Sequence, residues 1–525
     1  MSEPYVHLLA SSVPKRYCFR LVFRDLKADA PFDGTARIAL DLLSPTSAVE
    51  LHAKDIEVQS ASVTASGGQV VPMTRAEVRE STETVLLHFD SRLSGEVVLE
   101  CAYRGKVRGP LSGVYHCTFE GGVAGVSTHF EPVFARYAFP CIDEPKAKAS
   151  FQLTIVAPEG LTAVSNMPET SSRPAEAEGA SLTEHVFADT PRMSSYLVGF
   201  AIGDFGVIRL PSGEAPVPMS LYAQRGREES GRFALQIAAR SLAFFEKFFG
   251  EKFPLPKLDV VVPPAFPIGG MENWGFITLT NRVLMGEAAS LQKRQGVAGL
   301  AAHEVSHMWF GDLVTPCWWD DLWLKEGFAS WVNLLPLEEF FPSWRVWDHW
   351  ASDTLYSSAD GGKGGALEID QYRATHPVEV PVNHPSEVQE IFDGLSYNKG
   401  SAIVNMLYHS LGRDTFRQGL SAWLTRYKNS NSTTKELWSE LSKASGQGVA
   451  EMADTWTKQM GFPVLQVSRR ASDTGGDVWV VRQRRFALPQ QGGEPEDGAE
   501  GPAAKRAKPS LWTIPLRVVH DEAGA

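Results

Sequence analysis

Cysteine is scarce in this chain: Cys18, Cys101, Cys117, Cys141 and Cys317 are the only five in 525 residues. No two share the close C-x-x-C spacing of a redox or zinc motif, and an odd count does not pair off into a disulfide framework. That usage fits a reducing compartment. Residues 1–17 hold no apolar segment of signal-peptide length, and no run of 18 or more apolar residues occurs anywhere, so neither secretion nor a transmembrane helix is expected. A cytoplasmic protein with no membrane partner is the resulting expectation. Basic charge is also in deficit. Fifty Lys and Arg against 62 Asp and Glu leave a net charge of −12, which argues against a nucleic-acid partner, because phosphate binding needs a basic surface. The 43% apolar and 21% charged residues are ordinary for a globular chain, but its length exceeds one hydrophobic core and predicts about three domains.

The first two hundred or so residues read as β-structure. Short, often alternating segments at 17–26, 35–43, 49–58, 84–89 and 95–107 are separated by Gly, Pro, Ser and Asp. The polar stretch 169–179 reads as a loop. From about Gly226 the spacing becomes helical, with helices expected at 230–248, 288–311, 321–335 and 400–411. Strands return at 464–468, 478–483 and 511–519. Between the last two, residues 489–509 are rich in Gly, Pro, Glu, Ala and Lys and read as a disordered, solvated loop.

The chemistry concentrates at His303-Glu304-Val305-Ser306-His307, followed after eighteen intervening positions by Glu326. Residues four apart on a helix lie above one another, so His303 and His307 present two imidazoles to one metal. Glu326 stands near the start of the next expected helix and completes a two-His, one-carboxylate set. Three protein ligands with an open fourth position make a catalytic rather than a structural zinc site. Such a zinc acidifies its water, and Glu304, one step round the helix, is placed to take the proton and pass it to a departing amine. The tetrahedral oxyanion needs a donor besides.

A series of motifs resembles the zinc aminopeptidases of the aminopeptidase N and puromycin-sensitive type, which are gluzincin metallopeptidases. It runs Phe130-Glu131-Pro132, Phe139-Pro140-Cys141-Ile142-Asp143-Glu144-Pro145, Gly269-Gly270-Met271-Glu272-Asn273-Trp274-Gly275, the zinc motif with Met308-Trp309-Phe310-Gly311, Trp323-Leu324-Lys325-Glu326-Gly327-Phe328-Ala329, Ser396-Tyr397-Asn398-Lys399-Gly400 and Thr455-Trp456 through Gly461-Phe462-Pro463. The ordered set covers 130–463. The resemblance implies a multidomain α+β fold: an N-terminal β-sandwich or saddle domain at 1–210, a thermolysin-like, mainly helical zinc catalytic domain at 211–463, and the start of a small C-terminal β-sandwich at 464–525 that contains the 489–509 loop. It implies one Zn²⁺ per chain, held by His303, His307 and Glu326, with Glu304 as general base. Tyr397 would be the oxyanion donor, and Glu131 and Glu272 would bind the α-ammonium of a peptide substrate. The backbone of Gly269, Gly270, Met271, Glu272 and Asn273 would run beside that peptide. Two carboxylates at a fixed distance from the scissile carbonyl would make the enzyme an exopeptidase for free N-termini. His129 stands where the family often carries a polar residue facing the first side-chain pocket.

Gly270 departs from the Ala usual in the aminopeptidase N type. It admits a leukotriene A4 hydrolase-like epoxide hydrolase as an alternative, which Trp274-Gly275 and Phe310-Gly311 oppose. The chain also ends at Ala525, partway through the expected sandwich. A second alternative is therefore a non-catalytic or weakly active peptide-binding fragment that lacks the C-terminal domains.

Overall fold

Alternation dictates the first half of the molecule. In β1 (Ser12–Phe23) Tyr17, Phe19, Leu21 and Phe23 are buried while Cys18 and Arg20 face outward, the period of two that one-sided burial demands. A computed structural model describes residues 5, 7–65, 67–177, 179–356, 364–372, 374–471, 477–486, 488 and 511–516. The strands that follow β1 are β2 (Pro31–His52), β3 (Glu57–Ala65), β4 (Val70–Arg79), β5 (Thr84–Lys106), β6 (Gly113–Thr118), β7 (Ala124–His129), β8 (Ser150–Pro158), β9 (Thr162–Ser165), β10 (Glu169–Ala177), β11 (Ala180–Phe187) and β12 (Phe200–Gly203). Eight of them form one sheet in the order β10-β11-β8-β1-β2-β5-β3-β4, and β6-β7-β12-β9 form a second. All pairings in the large sheet are antiparallel except β1 with β8, where Tyr17 lies opposite Phe151.

Several expected boundaries change. The segments at 35–43 and 49–58 do not stand as two strands: β2 runs through the first and into the second, and the register slips between Leu42 and Ala48 around Pro45. Proline removes a ladder donor, so the chain bulges there instead of ending. The second segment then breaks after His52 and resumes as β3. The segments 84–89 and 95–107 fuse into β5 by the same slip on the partner side. The polar stretch 169–179 is not a loop: β10 pairs with β11 as a hairpin. An edge strand meets the sheet on one side only, so its polar composition costs little, and cross-strand Arg173 Nε reaches Glu184 at 2.8 Å.

A five-stranded sheet leads into the helical half, in the order β13 (Phe205–Arg209), β14 (Met219–Gln224), β15 (Leu258–Val262), β17 (Phe276–Leu279) and, at the edge, β16 (Gly270–Met271). Among the described residues ten α-helices follow or interleave: α1 (Arg232–Phe249), α2 (Leu291–His307), α3 (Leu322–Val332), α4 (Leu334–Phe340), α5 (Val346–Leu355), α6 (Ala366–Asp370), α7 (Gly400–Leu411), α8 (Arg413–Tyr427), α9 (Thr434–Ser445) and α10 (Val449–Thr457). The helix expected at 288–311 is shorter at both ends, because Ser290 caps it and the chain turns after His307. The helix expected at 321–335 is two, broken at Asn333. β-Rich and helical parts share one continuous apolar core, in which Trp309, Trp319, Trp323, Trp331, Trp423 and Trp438 are all fully buried. No helix among the described residues is long and apolar enough to cross a membrane.

Near the end β20 (Pro463–Ala471) pairs with β21 (Asp477–Arg485), apart from the short ladder of β18 (Val314–Pro316) with β19 (Ser430–Ser432). The strand expected at 511–519 is not found over 511–516. There the chain is held by a side chain instead, Gln483 bonding both the N–H and the carbonyl of Trp512 at 2.8 and 2.9 Å. Residues 517–519 and the loop expected at 489–509 lie outside the described residues.

Candidate metal centre and its carboxylate shell

Helix α2 is placed by its ends. The Ser290 hydroxyl accepts from the Lys293 N–H at 3.2 Å, which satisfies one of the open donors of the first turn. At the other end Gly311 takes a φ of 128°, a conformation in which side chains are strained, and the chain doubles back. His303 and His307 lie on one face of the last two turns, their rings edge-on at 83° and their Nε2 atoms 3.1 Å apart. His307 Nδ1 lies 2.8 Å from the Phe310 carbonyl and donates to it, which turns Nε2 inward as a ligand atom. α3 brings Glu326, whose Oε2 stands 3.5 Å from both Nε2 atoms. That oxygen is buried and has no hydrogen-bond partner.

These three atoms fit a metal ion. Tetrahedral ligands at about 2.0–2.1 Å from zinc lie about 3.3–3.4 Å from one another, and the separations of 3.1, 3.5 and 3.5 Å bracket that spacing. Two imidazoles and a carboxylate are also the donor set zinc prefers at catalytic centres. From the protein groups alone, burial lowers His307, but the facing carboxylates of Glu272 and Glu326 outweigh it and push the imidazole up to about 10. A dication held in the triangle would take the place of that proton.

Glu304, buried on α2, faces the same cavity, and its carboxylate packs so closely on Gly270 that a Cβ there would overlap it. Burial, before any charge, raises its carboxyl well above the usual range. Tyr397 sits in a single π-helical turn, Leu395–Lys399, a distortion often found at functional sites. Its ring stacks on His303 with centroids 6.2 Å apart and planes 14° apart. A glycine pair makes that approach possible: a Cβ on Gly327 would come within 3.0 Å of the Gly400 backbone. Gly327 follows Glu326 and Gly400 closes the Tyr397 turn, so the contact of α3 with α7 sets the metal carboxylate beside the phenol.

A second acidic group converges from three directions. Carboxylate oxygens of Glu131, Glu272 and Glu326 lie within 4.8 Å of one another. Glu131 follows β7 in the β-rich half, and Glu272 follows the edge strand β16. This group already encloses a cation, the ammonium of Lys325. Nζ stands 2.6 Å from Glu131 Oε1, 2.6 Å from Glu272 Oε1 and 2.8 Å from Glu326 Oε1. Three carboxylates share one ammonium, and the charges divide unequally. Burial holds Glu131 up to about 8; at Glu272 and Glu326 burial also pushes up, but Lys325 and His307 together outweigh it and keep both below the usual range.

The cavity over these residues encloses about 540 Å³ and is lined by the His303, His307 and Glu326 triangle, Glu304, Tyr397, Glu131, Glu272, Gly269 and Gly270, together with His129. Met271 and Asn273 do not line it. Met271 is buried in the core, and Asn273 donates to the Val198 carbonyl at 3.1 Å. His129 is buried between Phe266 and Phe134, with centroids at 5.5 and 6.3 Å, and burial lowers it to about 4, so the ring is neutral at pH 7. Lys325 was missed by motif reasoning, although a signal exists. Lys325 and Glu326 are the only charged residues between Leu322 and Val332, and a lysine in so apolar a helix must find buried counter-charge.

Comparison with known proteins agrees with this architecture. Residues 13–197 match the peptidase M1 N-terminal domain and residues 233–456 the peptidase family M1 domain. The chain is 37% identical over 492 residues to aminopeptidase M1-C of Oryza sativa subsp. japonica, covering 90% of this chain and 54% of that protein. It is 36% identical to the puromycin-sensitive aminopeptidase of Caenorhabditis elegans, covering 93% and 50%, and 37% identical to the mitochondrial aminopeptidase 2 of Saccharomyces cerevisiae, covering 87% and 47%. The chain thus spans about half the length of these relatives. The two matched segments follow each other as the β-rich and helical halves of the fold do, and together they place this chain in peptidase family M1.

Proposed function

We propose that the protein is a zinc-dependent aminopeptidase that hydrolyses the first peptide bond of peptides with a free N-terminus. The observation that carries this reading is the pairing of the His303, His307 and Glu326 triangle with the Glu131 and Glu272 carboxylates in one cavity. Zinc bound in the triangle supplies a Lewis acid that polarises the scissile carbonyl and acidifies water. The chain's own residues do the rest. Glu131 and Glu272 accept hydrogen bonds from the substrate's α-ammonium and thereby fix which carbonyl lies over the metal site. Glu304 takes a proton from the attacking water and returns it to the departing amine nitrogen. The raised Tyr397 hydroxyl keeps its proton at neutral pH and donates a hydrogen bond to the oxyanion.

The free side of edge strand β16 supports the placing of Gly269 to Asn273 beside the peptide, since an extended ligand can pair there. The reading divides the chain at 1–210, 211–463 and 464–525, with the second part a thermolysin-like catalytic domain and the third a partial β-sandwich. It gives one zinc per chain and a cytoplasmic setting, the latter supported by five cysteines carried as free thiols.

Zinc analysis and hydrolysis of alanine 4-nitroanilide test it. The zinc-loaded chain should cleave this substrate and refuse its N-acetylated form, and Glu304→Gln should keep the zinc while losing at least about 100-fold in kcat. A zinc-loaded Glu304→Gln protein with full activity would refute the mechanism, and equal cleavage of both substrates would refute the exopeptidase assignment.

A further inference from the structure

We infer that Lys325 is a positioning residue: its ammonium acts as a clamp that joins the amine-binding carboxylates to the metal ligand Glu326. The inference rests on the function proposed above for Glu131 and Glu272. An ammonium has three N–H groups and no acceptor; here it donates hydrogen bonds to Glu272 and Glu326 and pairs with three carboxylates in all, one oxygen of each at 2.6, 2.6 and 2.8 Å. Lys325 is 1% exposed. It is not among the residues that line the cavity, whereas Glu131, Glu272 and Glu326 are. The cation therefore lies behind the three carboxylates, with the rings of Tyr196 and Phe392 about it at 5.8 and 6.0 Å.

The division of Glu326 is the telling feature. Its Oε1 accepts from Lys325, and its Oε2 faces both imidazoles. Lys325 thus sets the angle at which the carboxylate meets the metal, as partners in the outer shell of metal sites do. The same Nζ holds one oxygen each of Glu131 and Glu272, so the distance from the amine-binding pair to the metal is set by one atom. Glu131 comes from the β-rich half, Glu272 from the strand edge and Glu326 from α3. No backbone element links all three, and Lys325 supplies the link.

Electrostatics alone makes the opposite forecast. A cation beside a metal site repels the metal, so removing it should tighten zinc. A clamp lost should loosen it. The full 525-residue chain and its Lys325→Met variant would be compared by zinc titration against a competing chelator, with kinetics on alanine 4-nitroanilide alongside. The expected result is zinc binding weakened by about 10- to 100-fold, with KM raised more than kcat is lowered at saturating zinc. Zinc affinity that is unchanged or tighter in Lys325→Met overturns the inference. Weakened zinc with an unchanged KM overturns its link to amine binding.

Should Lys325→Met not fold, Lys325→Arg serves. It keeps the charge, but a planar guanidinium cannot set one compact cationic centre against three converging carboxylates. Zinc should weaken several-fold, and wild-type affinity would overturn the inference. If the wild-type chain binds zinc yet cleaves nothing, the aminopeptidase reading fails while the zinc affinities still decide the clamp.

Discussion

Replacing Glu272 by Gln isolates the recognition of a free amino group. Glu272 is 3% exposed, so any ammonium that meets it does so out of water. The substitution preserves size and one acceptor oxygen, and Lys325 retains Glu131 and Glu326 as counter-charges, so the fold and the metal triangle should survive. What is lost is one charge-assisted hydrogen bond, worth about 1.5–3 kcal/mol. Because each 1.4 kcal/mol is about tenfold, kcat/KM for a free aminoacyl 4-nitroanilide should fall about 10- to 150-fold. The N-acetylated substrate has no ammonium and should be as poor for the variant as for the wild type. The preference for the free amine therefore drops by the same factor. Steady-state kinetics on both substrates, with zinc content measured on the same samples, gives the answer. A Glu272→Gln enzyme within threefold of wild type on the free amine, with full zinc, would refute the assignment of Glu272.

Tyr397→Phe removes the phenol that stacks on His303 and should lower kcat by about 100-fold, the usual cost of an oxyanion donor of about 3 kcal/mol, with little change in KM; a variant as fast as wild type would rule out this role. Lys148 offers a test of stability. Its side chain is buried, its Nζ donates to the Asp312 carbonyl at 3.0 Å, and burial lowers it to about 7. An unfolded lysine titrates near about 10.4, so between these values the unfolded chain binds more protons and stability rises with pH. From pH 7 to pH 10 wild type should thus gain about 3–4 kcal/mol on Lys148→Met, a relative climb of the thermal midpoint of roughly 7–14 °C at about 2–4 °C per kcal/mol, and the two should stay level below pH 7. Parallel curves would contradict the lowered value.

The candidate metal triangle was legible because its spacing is local. A four-residue step on one helix sets His303 and His307 on one face whatever the rest of the chain does, and Glu326 could be recognised from its place in the next helix. The β-rich first half and the boundaries of α7 were legible for the same reason, since period and propensity act over a few residues. Boundaries failed where tertiary pairing overrode local signals. Pro45 reads as a strand end, yet β5 carries β2 past it through a bulge. The polar residues 169–177 read as loop, yet β11 offers them an edge to pair with.

Residue type alone therefore determined that this chain is rich in strands and then in helices, and that two histidines, a carboxylate and a neighbouring glutamate make a candidate metal site. The tertiary structure decided what those ligands face. Glu131 and Lys325 lie 194 positions apart in sequence and 2.6 Å apart in space, and no local pattern reports such a pair. Tyr397 reaches the metal site through the contact of Gly327 with Gly400. Lys325, unremarkable as one letter beside Glu326, becomes the shared counter-charge of three carboxylates only because three separate elements bury them together, where an unpaired charge is too costly to keep.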